Sequence, residues 1–384
     1  MSMQPKKQLL RNPGFQTFLA SLICIILGLL LGFVVLLIIN PSGASVAIQA
    51  IMKNFLTYSK PASQMKNLGN TLVKTAPLLM CSLSVLFAYK VGLFNIGAAG
   101  QYVGGAGACI FCAVKLGWGW LPCMLMAVLA GALIGALSGV LKAYRNVNEV
   151  ISCIMLNWLT LYSVNTLLAE VKEPTSNYTY PISKHLLIEG GVAKTVSNPQ
   201  AILPTLGLGD LFSKNKYVGI ALPLAVLFAI GIWVLLNKTK LGYELRATGL
   251  NKNAAKYCGM KDKVNIVLTM AIAGGLAGIG AAMLFLTGIT QWSVTQSSVP
   301  SMGFNGIAAA FLGGLNPIGA IFSSFFIQHI TDGGSYLDMR VYSAEISNFI
   351  SSLIIYLCSF VFFFRQTLNR WLDRRLENKG GNDK

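Results

Sequence analysis

The chain has 384 residues, of which 54% are hydrophobic and only 11% charged, with 39 glycines and a mean hydropathy of +0.62. A soluble domain carries about a quarter charged residues, so these numbers exclude an ordinary soluble enzyme, and they exclude a disordered chain as well. The net charge of +17 sits in short gaps between apolar runs rather than on one face of a soluble domain, which argues for orientation in a membrane and against nucleic-acid binding.

The first uncharged run, 18–39, follows Lys6, Lys7 and Arg11. It is longer than a secretory h-region and no A-x-A cleavage site follows, so it reads as a retained helix. Further uncharged runs occupy 75–89, 91–114, 116–141, 150–169, 217–237, 264–290 and 346–364. The stretch 303–331 is free of charge, with His329 its one titratable group, and breaks at Asn316-Pro317; it reads as two short passes or a re-entrant pair. At about 20 residues per span, the expectation is an all-α fold: a polytopic transmembrane helix bundle of about ten passes including short or re-entrant segments, with eight as the alternative. The whole of 1–384 is expected to form a single transmembrane domain.

Two hydrophilic insertions and a tail complete the layout. Segment 170–216 mixes charges of both signs and contains four prolines, which predicts an external loop, either passive or a docking surface. Segment 238–263 carries seven basic residues and is expected to be a cytoplasmic loop, helical in its middle; 365–384 is a cytoplasmic tail. Alternating from a cytoplasmic N-terminus, the inner segments hold 19 basic and 6 acidic residues and the outer ones 11 and 7. That is the bias expected of retained cytoplasmic cations, so both termini are placed inside. Lys53, Lys60, Lys66 and Lys74 run against it, falling outside with no acid between them.

The spans are as informative for what they lack. Ion-coupled carriers place titratable groups within their helices; here His329 is the one candidate, better explained as a satisfied structural histidine. No Gly-Lys dipeptide occurs in the sequence, so a phosphate-cradling Walker A loop is absent and nucleotide hydrolysis is assigned to another subunit. Cys109-Ile-Phe-Cys112 has the CxxC spacing but no second pair, and is read as buried thiols with no metal role. What remains is glycine and neutral amide: Asn95 and Gln101 in 91–114, Asn157 and Asn165 in 150–169, then Asn305 and Asn316. An amide in hydrocarbon must find a partner, and Asn95, Gln101, Asn157 and Asn305 are the expected substrate-pathway residues for a polar, uncharged solute. A short echo, FNIGAA at 94–99 and FNGIAA at 304–309, falls on segments expected to cross in opposite directions, as in an inverted repeat.

Four segments then carry a resemblance: Leu72–Leu79 (LVKTAPLL) leading into Gly92–Gln101 (GLFNIGAAGQ); Asn148–Asn157 (NEVISCIMLN); Gly242–Met260 (GYELRATGLNKNAAKYCGM); and Gly303–Gly319 (GFNGIAAAFLGGLNPIG). In order and spacing they resemble the permease family of ABC importers for branched-chain amino acids, simple sugars and nucleosides, and within it the nucleoside-type branch. The resemblance implies a nucleoside importer in the bacterial plasma membrane, working by alternating access. Its implied partners are a second homologous permease, a cytoplasmic ABC ATPase that binds ATP and Mg, an external substrate-binding lipoprotein and the membrane lipid, with no cofactor, metal or catalytic residue on this chain. Gly242–Met260 looks like the family's coupling segment, with Glu244, Arg246, Asn253 and Ala254 as the residues that meet the ATPase. The sequence departs from the family at Ala99, where an acid is common, and at Asn305, where Asp is frequent, which leaves the central motifs neutral. A simple-sugar permease, an ion-coupled secondary carrier and a channel are the competing readings.

Overall fold

In the computed structural model, which describes residues 13–189, 192–337, 342, 344–358, 360, 361, 363–367, 369 and 370, helices follow the apolar runs closely. They are α1 (Pro13–Ile39), α2 (Ala44–Lys53), α3 (Pro61–Lys90), α4 (Ala98–Val114), α5 (Trp120–Arg145) and α6 (Glu149–Leu168). After a hairpin of β1 (Lys184–Glu189) and β2 (Val192–Ser197), paired antiparallel with Lys184 opposite Ser197, come α7 (Ala221–Lys238), α8 (Lys240–Leu250) and α9 (Lys252–Tyr257). The chain continues through α10 (Asp262–Phe285), α11 (Met302–Leu312), α12 (Pro317–Gly334) and α13 (Ala344–Cys358). Among the described residues α1, α3, α5, α6, α7 and α10 are long and apolar enough to cross a membrane, while α4, α11 and part of α13 are shorter apolar helices. The all-α polytopic architecture is thus the one expected. The basic flank Lys6, Lys7 and Arg11 and the tail beyond 370 lie outside the described residues, as do the ends on which the terminal placement rests.

Packing centres on α10, which lies against α3, α4 and α5. Lipid offers helices no hydrophobic reason to associate, so close backbone approach through small residues has to hold them. The contact between α5 and α10 is of this kind. A Cβ on Gly135 would lie 2.1 Å from the Met270 carbonyl oxygen, one on Gly274 2.2 Å from that of Gly131, and one on Gly278 2.2 Å from that of Ala127.

Two sequence boundaries change and one expected break is found in place. Helix α3 begins at Pro61, not near 75, so Lys66 and Lys74 sit on a helix; Lys74 Nζ pairs with Asp332 Oδ1 of α12 at 2.9 Å. The acid that neutralises it was therefore distant in sequence. The run 91–114 is helical only from Ala98. The stretch 303–331 is two helices joined by a turn, with Gly314 and Leu315 at positive φ and Asn316 capping α12 through Ile318 N–H at 2.9 Å.

The bundle has two distinguishable ends. At one, the β-hairpin packs on the end of α4, with His185 Nδ1 3.0 Å from the Val114 carbonyl oxygen and Asn198 Nδ2 donating to Ala113 O at 3.1 Å. At the other lie α8 and α9. These are called the hairpin end and the basic end below.

Candidate substrate pathway and coupling surface

The turn between α3 and α4 is built by amides. Gly92, at φ +78°, lets the chain reverse after Lys90. Asn95 Nδ2 then donates to Gln101 Oε1 at 2.8 Å and to Ser84 Oγ at 3.0 Å, while Gln101 Nε2 donates back to Asn95 Oδ1 at 3.1 Å. Asn157 reaches in from α6: its Oδ1 accepts from Gly100 N–H at 2.8 Å, and its Nδ2 donates to Ile96 O at 3.2 Å. All three amides are buried. The approach requires glycine at 100, where a Cβ would lie 2.5 Å from Asn157 Oδ1. Three of the four expected pathway residues therefore form one network that fixes residues 94–101. Asn305, in the first turn of α11, is half-buried and its side chain has no hydrogen-bond partner among the described residues.

The two echo segments meet. A Cβ on Gly303 would lie 2.4 Å from both N and Cα of Ala99, so the N-termini of α4 and α11 touch backbone to backbone. From that joint α4 runs to the hairpin end. Helix α11 runs to the basic end, where Phe311 meets Tyr89 edge-on with ring centroids 5.4 Å apart. The joint lies beside Cys81 and Ser82 of α3, against which Gly306 packs. These residues are about 12–14 Å along α3 from Lys90 at 1.5 Å per residue, well inside the bundle. Two short helices that diverge from touching N-termini are the arrangement an inverted repeat produces.

A cavity of about 460 Å³ descends beside this joint. Tyr102 of α4, Phe285 at the end of α10 and Trp292 give it aromatic walls, and Gln291, Gln296 and Ser301 add neutral polar groups. Tyr102 and Phe285 have centroids 6.3 Å apart, and Phe285 and Trp292 5.9 Å apart. Asn165 organises this wall: its Oδ1 accepts from Trp292 Nε1 and its Nδ2 donates to Gln296 O, both at 2.9 Å. The 286–301 segment is tied to the hairpin-end loop by Thr179 N–H donating to Trp292 O and Val294 N–H to Asn177 O, each at 2.9 Å.

At the basic end, the expected coupling segment forms α8 and α9. Asn251 separates them and caps α9, its Oδ1 accepting from Ala254 N–H at 3.0 Å. Asn253 and Ala254 are exposed; Glu244 and Arg246 are half-buried, with Glu244 3.8 Å from Lys240. Leu245 and Ala255 are buried and are not available for contact. Leu250 at 89% exposure and Tyr257 at 93% are instead the prominent apolar side chains. The inner face of the segment is rigidly seated. Thr248 Oγ1 accepts from Asn265 of α10 at 2.8 Å, and a Cβ on Gly249 would lie 2.2 Å from Val91 O. Helix α8 therefore rests directly on the turn that leads to Asn95.

Comparison with known proteins decides the class. Residues 67–359 match the family described as branched-chain amino acid transport system / permease component. The chain belongs to this family. It is 30% identical to a nucleoside ABC transporter permease, NupB of Lactococcus lactis subsp. cremoris, over 93% of this chain and 94% of that protein. It is also 30% identical to a guanosine ABC transporter permease, NupP of Bacillus subtilis, over 95% and 98%. A second guanosine ABC transporter permease of the same bacterium, NupQ, matches at 28% over 70% of this chain and 82% of its own length. No solved structure matches the chain.

This permease is thus a multi-pass membrane transport subunit rather than an enzyme. Sequence reasoning had missed its cavity, because 286–301 carries no charge and no motif. The signal available was the neutral polar string Thr290-Gln-Trp-Ser-Val-Thr-Gln-Ser-Ser298 between two apolar runs, too hydrophilic for a span and containing an indole. Both ring nitrogens of His329 are engaged, Nε2 2.8 Å from Met52 O and Nδ1 3.3 Å from Asn54 Nδ2. The ring is thus fixed against the C-terminal end of α2.

Proposed function

We propose that this permease forms the membrane pathway of an ABC importer for nucleosides, with the basic end cytoplasmic and the hairpin end outside the plasma membrane of a bacterium. The observation that supports it most is the seat of α8. A helix exposing Leu250 and Tyr257 on one side and packed through Gly249 on the Val91–Gly92 turn on the other is built to take up a push and pass it to the broken helices. An ATPase subunit that binds ATP and Mg supplies that push, meeting Leu250, Tyr257, Asn253 and Ala254, with Glu244 and Arg246 at the edge of the contact. A second permease of the same kind completes the pathway, a reading supported by the two guanosine permeases of one bacterium that both resemble this chain. A lipoprotein receptor delivers solute at the hairpin end. The neutral amides Asn95, Gln101 and Asn157 set the shape of the pathway, and Asn305 offers it a free amide.

The test is ATP-driven uptake by the assembled transporter. Guanosine or uridine should block uptake of labelled nucleoside and free ribose should not; the reverse order overturns the substrate. Burying a Leu-sized apolar side chain is worth about 1.5–3 kcal/mol. Replacing Leu250 and Tyr257 together by Ser should therefore reduce co-purified ATPase more than about tenfold, and unchanged recovery overturns the docking surface.

A further inference from the structure

Resting on the nucleoside reading above, we infer that the hairpin-end cavity is the subsite that recognises the base, with the Tyr102 hydroxyl as its specificity-determining group. The cavity lies in the range of small-molecule sites, about 300–1,000 Å³, and the rings of Tyr102, Phe285 and Trp292 are among the residues that line it. Aromatic faces recognise a planar ring, and stacking on them tolerates any base; a free sugar has no such face. Polar groups must then read the ring edge. Tyr102 is only 2% exposed, lines the cavity, and its hydroxyl has no hydrogen-bond partner among the described residues. A base carbonyl or amino group in the cavity would give it a hydrogen-bond partner. Gln291 and Gln296 direct their Nε2 groups to Thr179 O at 3.0 Å and Ser298 O at 3.1 Å. Their side-chain carbonyl oxygens remain as acceptors for base N–H groups.

Charge narrows the ligand further. No Lys, Arg, Asp, Glu or His lines this cavity, so neither a phosphate nor the paired charges of a free amino acid would be neutralised there. The floor is the joint of α4 and α11, where Ser301 and Met302 line the cavity. Two helix N-termini converging on one point favour oxygen acceptors, and ribose hydroxyls placed there would complete the fit. Asn165 acts as a positioning residue, holding Trp292 and the Gln296 backbone at once.

The experiment is photolabelling with 8-azidoguanosine of membranes containing the assembled transporter, followed by mass-spectrometric mapping. Label is expected on Tyr102 or within 285–302, competed by guanosine but not by guanosine monophosphate or ribose. Tyr102→Phe removes one hydrogen bond, so half-blocking by guanosine should require roughly fivefold more ligand, with the amount of folded protein in the membrane unchanged. Label mapping elsewhere on the chain, or an unchanged half-blocking concentration in Tyr102→Phe, overturns the subsite while nucleoside import stands. If the wild-type transporter imports no nucleoside, the functional reading itself falls, and the subsite with it.

Discussion

Asn95 illustrates how much one side chain can determine inside a membrane. Its amide serves Gln101 and Ser84 together, and Gln101 returns a bond to it. Substituting Leu leaves the Gln101 amide unsatisfied, and a buried polar group without a partner costs about 1–3 kcal/mol. The expected outcome for Asn95→Leu is loss of uptake with ATPase co-purification retained, because α8 contacts the turn at Val91 and Gly92 rather than at Asn95; normal uptake would remove the network from the pathway. That these amides need partners was legible in the sequence, since an amide in hydrocarbon must be satisfied. Their mutual satisfaction was not, because Asn157 lies 57 residues from the Gly100 N–H it accepts from. The same limit hid the ion pair of Lys74 with Asp332, 258 residues apart.

At the level of elements, the glycines divide into those that shape turns and those that bring backbones together. Gly249 belongs to the second kind. A methyl group there would meet Val91 O and Gly92 N, neither of which is a side chain that can rotate away. Gly249→Val is therefore expected to shift α8 off its seat. ATP hydrolysis should persist in the assembled transporter while uptake falls at least tenfold, measured as the ratio of solute moved to phosphate released. Uncharged runs can hide a helix boundary, as at 91–97, or declare it through a proline, as at Asn316-Pro317: an uncharged run shows that a segment tolerates lipid, not that its backbone stays helical. Residues 91–97 and 313–316 are uncharged yet irregular, their turns permitted by positive φ at Gly92, Gly314 and Leu315. The α8 face shows the converse limit, since Leu245 and Leu250 are alike in composition yet the first is buried and the second exposed.

For the whole molecule, orientation is the property to check first, and a native probe exists. Among the described cysteines Cys258 alone is exposed, in the basic loop after α9. A membrane-impermeant maleimide should label it in inside-out vesicles and not in intact cells, with Cys258→Ser as control, and bound ATPase should protect it. Labelling in intact cells would reverse the proposed orientation. The charge bias, legible from sequence alone, gives that sign but no depth. Only the folded chain shows that the cavity and the basic loop approach one joint from opposite ends. Energy source is tested at this scale too. The His329 ring is held between Met52 and Asn54, and the Lys74 charge is paired. A protonophore should therefore leave uptake unchanged so long as ATP is maintained.

The backbone contact of Gly249 with Val91 has a mechanical consequence. Side chains compress and change rotamer, so a linkage made of them absorbs part of any displacement before passing the rest on. Here two main chains bear directly on each other, the Ala99–Gly303 joint beyond is made the same way, and the turn between is braced by the buried amide network. In the proposed coupling role such a linkage would have little backlash. An ångström-scale stroke at the basic end would arrive at the joint nearly undiminished, and a small engine movement would suffice to switch which side of the membrane the cavity serves.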